Sequence, residues 1–289
     1  MSARPFLAID WGTTNRRVYR IEDGAVVATE RDALGVTAVS DFAGELAAIR
    51  ARFGDLPVLM AGMVGSTIGW REAAYIAAPA GIEDLGANLL RIDARTAIVP
   101  GVSFGDGKRG DVMRGEEVQL LGAVAGGLAP ADAMLVQPGT HCKWVEMASG
   151  RIACFTTAMT GELFGLVRSH GILAAQLGAE VVLGDAFLEG AREGAKRDLT
   201  ASLFGIRAAK LLGLRDDADA ASFASGLIIG ADVAARVAEH SFDTAYIIAD
   251  LMLGGLYAAA VKANGRAAMI VDSHAAFVAG ITRLGAFLS

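Results

Sequence analysis

The chain has 289 residues, a formal net charge of −6 and 53% hydrophobic residues, with a pI near 5.3 and a mean hydropathy of +0.43. The acidic balance and the scattered basic residues argue against nucleic acid as a partner, because binding to a phosphate backbone needs clustered positive charge. No window approaches the ~20 uninterrupted apolar residues of a membrane span, and the N-terminus lacks the apolar stretch of a signal peptide. We therefore expect a cytoplasmic protein without a membrane or nucleic-acid partner, and a homodimer is the default expectation for such a protein.

The chain opens with a predicted strand, a turn and a second strand. The apolar run Phe6–Ile9 ends at Asp10, and a second strand begins with Arg17. The turn between the strands consists of Gly12, Thr13, Thr14 and Asn15. Glycine lets a backbone approach a ligand closely, and the hydroxyl, amide and main-chain N–H groups of such a turn converge on phosphate oxygens. An ordinary hairpin without a ligand is the alternative that this stretch alone leaves open.

The rest of the first half alternates between strand and helix patterns. In chain order, the patterns predict a strand at 26–30, a helix at 41–53, a strand at 57–61, a glycine-rich loop at 62–70, a strand at 74–78, a helix at 82–90, a strand at 96–99 and a helix at 111–125. This alternation indicates an α/β fold with a mixed or parallel sheet.

The second half begins with the same kind of strand, turn and strand. A glycine-rich segment at 126–130 is followed by a predicted hairpin at 133–146, a strand at 151–156, helices from 162 to 236, strands at 246–249 and 268–271 with a helix between them, and a last helix at 275–287. We therefore expect two domains, residues 1–126 and residues 127–289.

The two hairpins align as a repeat. When Gly12-Thr13 is placed on Gly139-Thr140, the apolar residues that precede the turns coincide, and Arg16 falls on Lys143. Two such turns that face each other across a cleft would hold a polyphosphate from both sides. Coincidence between two short matches is the alternative.

The two copies differ where chemistry would need a difference. Asp10 has Gln137 as its counterpart, so only the first turn carries a carboxylate. A single Asp at the end of a strand suits Mg²⁺, which is typically held by one or two carboxylates with phosphate oxygens and water. Lys143 is the predicted point charge on the phosphates.

Five motifs together resemble one known family. The motifs are Ala8-Ile-Asp-Trp-Gly-Thr-Thr-Asn15, Met60-Ala-Gly-Met-Val-Gly-Ser66, Val112-Met-Arg-Gly-Glu-Glu117, Pro138-Gly-Thr-His-Cys-Lys-Trp144 and Met159-Thr-Gly-Glu162. They closely resemble those of the 2-dehydro-3-deoxygalactonokinases, sugar kinases of the actin-like ATPase superfamily. The resemblance implies an α/β fold of two ribonuclease-H-like domains with ATP and Mg²⁺ in the cleft between them. It also implies transfer of the γ-phosphoryl group to the 6-hydroxyl of 2-dehydro-3-deoxy-D-galactonate, in galactonate breakdown.

The C-terminal nucleotide loop departs from that family. The family usually has an apolar strand followed by Gly-Thr or Gly-Ser, whereas here the strand at 246–249 is followed by Asp250. Either Gly254 and Gly255 contact the nucleotide in a shifted loop, or the affinity for the nucleotide is altered.

Phosphoryl transfer still needs a group to accept the proton of the attacking hydroxyl. The candidates are Asp10, Glu116 and Glu117, and the two glutamates begin a predicted helix next to a glycine. Because adjacent residues do not share a helix face, we expect only one of the glutamates to face the site, with Glu116 preferred. Simple stabilisation of the helix N-terminus is the alternative role for both.

A sugar acid also needs a cation for its carboxylate, and a bidentate arginine is the natural group. Arg114 is the first candidate, with Arg17, Arg71 and Arg168 as competitors.

Further contacts are expected from two loops. Gly62, Ser66 and Trp70 lie in the glycine-rich loop that is expected to line the sugar pocket, although Trp70 would equally suit the core. His141 is a candidate for contact with phosphate or substrate, or else an ordinary hairpin residue.

Two other functions compete with this reading. One is a kinase for another sugar or keto-sugar acid, and the other is a non-catalytic sugar-binding or regulatory protein that kept the fold. The presence of Asp10, both Gly-Thr turns and Lys143 argues against the non-catalytic alternative.

Overall fold

The computed structural model describes residues 4–196 and 198–288. Within these residues the chain forms two compact units. The first contains residues 4–132, 147–155 and 273–288, and the second contains residues 133–146 and 156–272. The last helix therefore belongs to the first unit, whereas the sequence assigned it to the C-terminal domain. The domain boundary at 126/127 stays a prediction.

The first unit contains a mixed sheet and a smaller second sheet. Its elements are β1 (Phe6–Trp11), β2 (Arg16–Glu22), β3 (Ala25–Asp32), α1 (Phe42–Phe53), β4 (Val58–Gly62), β5 (Tyr75–Ala77), α2 (Ile82–Ala87), β6 (Leu90–Asp93), β7 (Thr96–Ile98), β8 (Gly101–Gly105), β9 (Gly110–Met113) and α3 (Glu116–Ala125). The strand order is β3-β2-β1-β4-β7-β6 in the main sheet and β5-β8-β9 in the small one. In the main sheet, β1 is antiparallel to β2 and parallel to β4, and β4 is parallel to β7.

The second half of the chain supplies another sheet and most of the helices. Its elements are β10 (Ala133–Gln137), β11 (Cys142–Ala148), β12 (Arg151–Ala158), α4 (Thr160–His170), α5 (Asp185–Gly194), α6 (Leu199–Leu211), α7 (Ala220–Glu239), β13 (Thr244–Ala249), α8 (Leu251–Ala263), β14 (Ala267–Asp272) and α9 (Ser273–Gly285). The sheet order is β12-β11-β10-β13-β14, and β13 is parallel to both β10 and β14.

The two main sheets have the same topology. The order β3-β2-β1-β4-β7 in one matches the order β12-β11-β10-β13-β14 in the other. In each sheet the first strand of the chain segment is central, with its hairpin partners on one side and parallel strands on the other. The repeat predicted from the two hairpins is therefore a repeat of the whole sheet.

The predicted helix at 111–125 begins too early. Residues 110–113 form strand β9, paired antiparallel with β8, and the helix starts at Glu116. Gly115 has a φ of +104°, a conformation that breaks the helical path and that residues with a side chain rarely adopt. The helix predicted at 82–90 ends at Ala87.

Strand β1 places the first candidate residue at the edge of the core. Its apolar residues are buried, while Asp10 is partly exposed. A strand that is buried on both faces usually has a continuous run of apolar residues. The carboxylate of Asp10 is the one departure from that pattern in β1. Asp10 lies opposite Arg17 of β2 and beside Ala61 of β4.

Helix α7 explains the most apolar part of the sequence. Within the described residues, the segment Asp217–Glu239 is long and apolar enough to cross a membrane by length and composition alone. However, 78% of its most apolar window is buried inside the fold. Such burial is typical of a core helix, and α7 packs against α4, α5, α6 and α8.

Helices α3 and α9 of the first unit approach each other through glycine. A Cβ atom on Gly122 would lie 2.0 Å from the carbonyl oxygen of Ala276, and one on Gly280 would lie 2.0 Å from that of Val118. Backbone atoms cannot rotate away, so a side chain at either position would push the helices apart.

We predict that Gly122→Ala lowers the free energy of unfolding by about 3 kcal/mol or more, because overpacking against fixed backbone is costly. Gly205→Ala is the matched control, since its added Cβ would meet nothing within 4 Å. The control should gain up to about 1 kcal/mol from helix propensity. Urea unfolding measures both, and a Gly122→Ala protein as stable as wild type would contradict the packing described here.

Candidate active site

In the first unit, glycines bring the start of helix α3 to the end of the central strands. Gly62 ends β4 with a φ of +96°, and a Cβ there would lie 2.8 Å from the carbonyl oxygen of Trp11. A Cβ on Gly115 would lie 3.0 Å from the Cα of Gly62. Three backbone segments therefore meet, and they carry Asp10, Arg114 and Glu116 toward one another.

The carboxyl group of Asp10 is electrostatically coupled to its neighbours. Burial raises its pKa above the usual range, the guanidinium of Arg17 opposes that rise, and the carboxylate of Glu116 adds to it. Asp10 and Glu116 therefore lie close enough for their charges to interact.

The two glutamates of α3 have different environments. Glu117 is fully buried, and one of its carboxyl oxygens accepts a hydrogen bond of 2.6 Å from the backbone N–H of Gly115. Burial, with the charge of Glu116, raises the pKa of Glu117 to about 8. Glu116 is partly exposed and accepts a hydrogen bond of 3.0 Å from the backbone N–H of Arg114. Each glutamate thus binds a backbone N–H at the helix start, the alternative role that the sequence left open.

The other candidates for the sugar pocket have mixed positions. The hydroxyl of Ser66 donates to the carbonyl of Met63 at 2.7 Å, so this hydroxyl stabilises the turn in which Ser66 lies. The ring of Trp70 stacks on Phe42, with centroids 6.1 Å apart, and packs against the buried core of the first unit. Trp70 therefore has the core role that the sequence left open. Arg17 lies close enough to Asp10 to oppose the rise in the pKa of Asp10 that burial causes.

The first Gly-Thr turn, residues 12–15, is a closed loop with exposed side chains. The backbone N–H of Gly12 donates to the carbonyl of Asn15 at 2.9 Å, and the amide of Asn15 donates to the hydroxyl of Thr14 at 2.9 Å. The carbonyl of Thr13 accepts from the hydroxyl of Thr37 at 2.8 Å. Thr13, Thr14 and Asn15 are all exposed.

The second Gly-Thr turn, residues 139–141, is joined to the start of helix α4. The backbone N–H of Glu162 donates to the carbonyl of Thr140 at 2.8 Å, and His141 Nε2 lies 2.6 Å from a carboxylate oxygen of Glu162. A Cβ on Gly161 would lie 2.2 Å from the carbonyl oxygen of Gly139. The Thr-Gly-Glu sequence that starts α4 is therefore part of this turn's support.

The cations at the aligned positions differ in their partners. Arg16 is buried and forms ion pairs with Asp32 at 2.7 Å and Glu45 at 3.0 Å. Lys143 is buried in the second unit, and its Nζ donates to the hydroxyl of Thr157 at 2.8 Å. Two carboxylates therefore pair with Arg16, whereas a threonine hydroxyl accepts from Lys143, so the two cations are not equivalent.

A small pocket opens beside the second turn. It is lined by residues that include Gly139, Gly161, Ser225, Ile228 and Leu253. Thr160 and Tyr257 also line it, and the hydroxyl of Tyr257 donates to that of Thr160 at 3.0 Å. Sequence analysis did not identify Thr160 or Tyr257, although Thr160 lies within a motif that carried the family resemblance.

The shifted glycine loop proposed after Asp250 does not exist. Asp250 is the N-cap of helix α8, where its carboxylate accepts a hydrogen bond of 2.9 Å from the backbone N–H of Leu253. Gly254 and Gly255 therefore lie inside the helix and not in a loop. The carboxylate of Asp250 stabilises the start of helix α8, because Asp is a favoured N-cap residue.

The residues present suit a magnesium ion only if ligands come from the substrate. Within the part of the chain that the structure describes, no group of three or more His, Cys, Asp or Glu residues forms a complete metal site. Asp10 with Glu116 nearby offers the one or two carboxylates that Mg²⁺ takes when phosphate oxygens and water complete its shell. The donor set therefore fits a nucleotide-bound magnesium ion.

Comparison with known proteins decides the family. The family model of the 2-keto-3-deoxy-galactonokinases matches residues 10–284. This chain belongs to that family. It is 37% identical to the 2-dehydro-3-deoxygalactonokinase of Escherichia coli (strain K12), over 97% of each chain.

Solved structures agree with this membership. A candidate 2-dehydro-3-deoxygalactonokinase from Sinorhizobium meliloti superposes with a TM-score of 0.91 at 35% identity, covering 96% of this chain and 97% of that one. Component A of the (R)-2-hydroxyglutaryl-CoA dehydratase of Acidaminococcus fermentans has a TM-score of 0.52 at 13% identity, covering 98% and 96% of the two chains. That second likeness shows the fold alone. The predicted α/β fold of the actin-like ATPase class is confirmed.

We predict that Glu117→Gln makes the protein more stable than wild type above pH 8. With its pKa raised from 4.5 to about 8, native Glu117 keeps a proton that the unfolded chain has released between these pH values. The stability of the wild type therefore falls as the pH rises through this window, by at most about 1.4 kcal/mol per pKa unit. Gln removes that cost, and the advantage should vanish below pH 4.5.

Urea unfolding between pH 4 and pH 9 measures the difference. Asp106→Asn is the control of opposite sign, because hydrogen bonds from the backbone N–H groups of Lys108 and Arg109 lower the pKa of Asp106. A Glu117→Gln advantage that does not change with pH would contradict the buried, protonated state.

Proposed function

We propose that this chain transfers the γ-phosphoryl group of ATP to the 6-hydroxyl of 2-dehydro-3-deoxy-D-galactonate, as a carbohydrate kinase of galactonate catabolism. The observation that carries the proposal is the cluster at the end of β1, where Asp10 and Glu116 interact electrostatically and the backbone N–H of the buried Arg114 bonds to Glu116. The carboxylates suit the hydroxyl of an acceptor substrate, and the cation suits its carboxylate. Family membership narrows that chemistry to the sugar acid named by the relatives.

The phosphates of ATP are assigned to the two turns. Exposed hydroxyl and amide groups at Thr13, Thr14 and Asn15 suit phosphate oxygens, as do the exposed residues Gly139, Thr140 and His141 of the second turn. Gly12 is also assigned to this set, because glycine permits close approach of the backbone. Lys143 supplies a positive charge in the second unit. Its buried position strengthens the electrostatic attraction between that charge and a phosphate.

The nucleoside is assigned to the pocket beside the second turn. The pocket borders Gly139, so a triphosphate on the turn would extend into it. Gly254, in the first turns of α8, is buried against Ile270, and Gly255 faces open space. We keep both glycines as proposed nucleotide-binding residues of helix α8. Because they lack side chains, they would leave room for the nucleotide.

Magnesium is assigned to Asp10, with the nearby Glu116 as a second carboxylate. When bound, the ion neutralises negative charge on the phosphate oxygens. The raised pKa of Asp10 fits such a role, because a carboxyl that is costly to ionise alone gains from a cation.

The acceptor hydroxyl is assigned to the same cluster. Glu116 is partly exposed and is the proposed acceptor of the hydroxyl proton. Glu117 is buried and protonated at neutral pH, so we assign it to positioning the helix start through Gly115 and not to proton transfer. Gly62, Ser66, Trp70, Arg17 and Arg114 form the proposed sugar side, with Ser66 and Trp70 acting by shaping the loop.

Catalysis would then come from positioning and charge, because phosphoryl transfer needs little covalent help from the protein. A cytoplasmic location and a homodimer remain part of the proposal.

We predict that Asp10→Asn lowers kcat by about 100-fold or more, the size of effect seen when one preorganised electrostatic group is removed. Asn keeps the size of the side chain but cannot ionise. Coupled detection of ADP with Mg·ATP and 2-dehydro-3-deoxy-D-galactonate measures the change. Asp106→Asn is the control, since Asp106 lies in an exposed loop and its cap hydrogen bonds survive as Asn.

The wild-type protein with a panel of 2-keto-3-deoxy sugar acids tests the reaction itself. We expect ADP formation with 2-dehydro-3-deoxy-D-galactonate and a product phosphorylated at the 6-oxygen, identified by ³¹P NMR. Turnover of a different acid only would overturn the substrate assignment, and no turnover with any acid would overturn the kinase assignment. Unchanged turnover in Asp10→Asn would remove Asp10 from the metal role.

A further inference from the structure

Asp232 is a buried carboxylate inside helix α7. It is 8% exposed, and the helix around it is mostly small and aliphatic. Its Oδ2 accepts a hydrogen bond of 3.0 Å from Nε1 of Trp144, and the thiol of Cys142 donates a second hydrogen bond to the same carboxylate. Burying a carboxylate costs free energy even when it is hydrogen-bonded. Asp232 therefore holds these two residues in place at a cost in stability.

The two donors flank Lys143 on strand β11. The strand begins with Cys142, directly after the second Gly-Thr turn, and Lys143 and Trp144 follow. Alternate residues of a strand share a face, and Cys142 and Trp144 both pack in the core cluster to which α7 contributes. Asp232 thus holds the residues on both sides of Lys143.

The side chain of Lys143 lies on the opposite face of the strand. Its Nζ donates at 2.8 Å to the hydroxyl of Thr157 on the neighbouring strand β12. A shift of β11 relative to α7 would move Lys143 away from the phosphates that the proposed function assigns to it. The carboxylate of Asp232 therefore influences the position of this cation from behind the strand.

Further hydrogen bonds connect Cys142 to the pocket beside the second turn. The hydroxyl of Tyr257, on α8, is hydrogen-bonded to the thiol of Cys142 and lies 3.0 Å from the hydroxyl of Thr160. Thr160 is the first residue of α4 and lines the pocket together with Tyr257. These hydrogen bonds connect Asp232, through Cys142, to the wall of the pocket.

Groups from three elements act on the charge of Asp232. They are Arg236 and Glu239 on α7, Cys142 on β11 and Tyr257 on α8. Burial raises the pKa of Asp232 from 3.8 to about 6, although the hydrogen bond from Trp144 and the charge of Arg236 oppose that rise. Asp232 is therefore mostly ionised above pH 7 and mostly neutral below pH 5.

We propose that Asp232 is a positioning residue for the nucleotide, because it holds Cys142 and Trp144 and thereby fixes the strand that places Lys143 on the phosphates. This inference rests on the proposed function for the identity of the nucleotide as ATP. Asp232 acts through β11 and not by contact with the ligand. A neutral amide of the same shape attracts the two donors less strongly than a carboxylate does, so it would hold β11 less firmly.

The test compares Asp232→Asn with Asp219→Asn, a change at the exposed N-cap of the same helix, where the side chain makes no cap hydrogen bond. We expect Asp232→Asn to raise the KM for ATP about 10-fold at pH 8, the effect of weakening hydrogen bonds to a charged group. The KM for the sugar acid should not change, and Asp219→Asn should match wild type. An equal rise in both KM values, or no rise, would overturn the positioning role.

The pH dependence separates the charge of Asp232 from its shape. Below pH 5 the wild-type side chain is itself mostly neutral, so the KM for ATP of Asp232→Asn, divided by that of wild type, should fall toward one. Groups that titrate in ATP or elsewhere in the protein affect both enzymes and cancel in this ratio. A raised ratio that is the same at pH 5 and at pH 8 would overturn the role of the charge.

Variants of the two donors keep the proposal testable if Asp232→Asn fails to fold. Trp144→Phe keeps an aromatic ring without the N–H, and Cys142→Ala removes the thiol, so each should raise the KM for ATP about 3- to 10-fold. Cys142→Ser restores a donor and should recover most of the loss. Donor variants that keep the wild-type KM for ATP would overturn the proposal.

Calorimetric binding of Mg·ATP without the sugar acid separates this inference from the proposed function. If wild type binds ATP but phosphorylates no sugar acid, the kinase assignment fails, while weaker binding of ATP by Asp232→Asn still supports the positioning role. If wild type is an active kinase and Asp232→Asn binds ATP as tightly as wild type, the inference alone fails. Absence of ATP binding by wild type would overturn both.

Discussion

The arrangement of the candidate site depends on the contact between Gly62 and Gly115. At this contact, helix α3 meets the end of β4 with no room for a side chain, and a Cβ on Gly62 would also meet the carbonyl of Trp11. Asp10 precedes Trp11, and Arg114 and Glu116 flank Gly115. A side chain at either glycine would separate the backbone segments that carry the acid and the cation, so close packing here fixes the chemistry as well as the fold.

The electrostatics of the first unit follow from that packing. Burial raises the pKa of both Asp10 and Glu117, and the charge of Glu116 adds to each rise. The nearby Arg114 keeps two donors unpaired. A site in which acids resist ionisation and a cation lacks partners is unfavourable alone and gains from ligands that bring opposite charge. Functional sites commonly carry such unfavourable electrostatics, which the rest of the fold stabilises.

The sequence predicted the sheets better than the helix starts. The two hairpins and their repeat were recognised because apolar runs and turn glycines are local signals. The helix at 111–125 was placed too early because residues 110–113 form a short strand whose partner, β8, begins and ends with glycine, a residue that is depleted in strands. The N-cap role of Asp250 was available from sequence, since Asp commonly caps a helix. The family resemblance, by contrast, implied a loop at this position, where the structure has the start of helix α8.

Individual residues of the site were predictable from the sequence, but the contacts between them were not. Asp10, Arg114 and the two glutamates were identified from motifs, yet nothing local indicated which glutamate would be buried. Tyr75 was predicted only as part of a strand. Its contact with Arg114 joins residues 39 positions apart in sequence (114 − 75), through the small sheet that the sequence did not predict. Such pairings arise from tertiary packing and leave no periodic pattern.

The most direct test of this account is a crystal structure of the protein with 2-dehydro-3-deoxy-D-galactonate bound. The account predicts the substrate carboxylate within about 3 Å of a nitrogen of the Arg114 guanidinium, with the 6-hydroxyl beside Asp10 and Glu116. A carboxylate bound by Arg17 or by any group other than Arg114, with the 6-hydroxyl away from both acids, would contradict it.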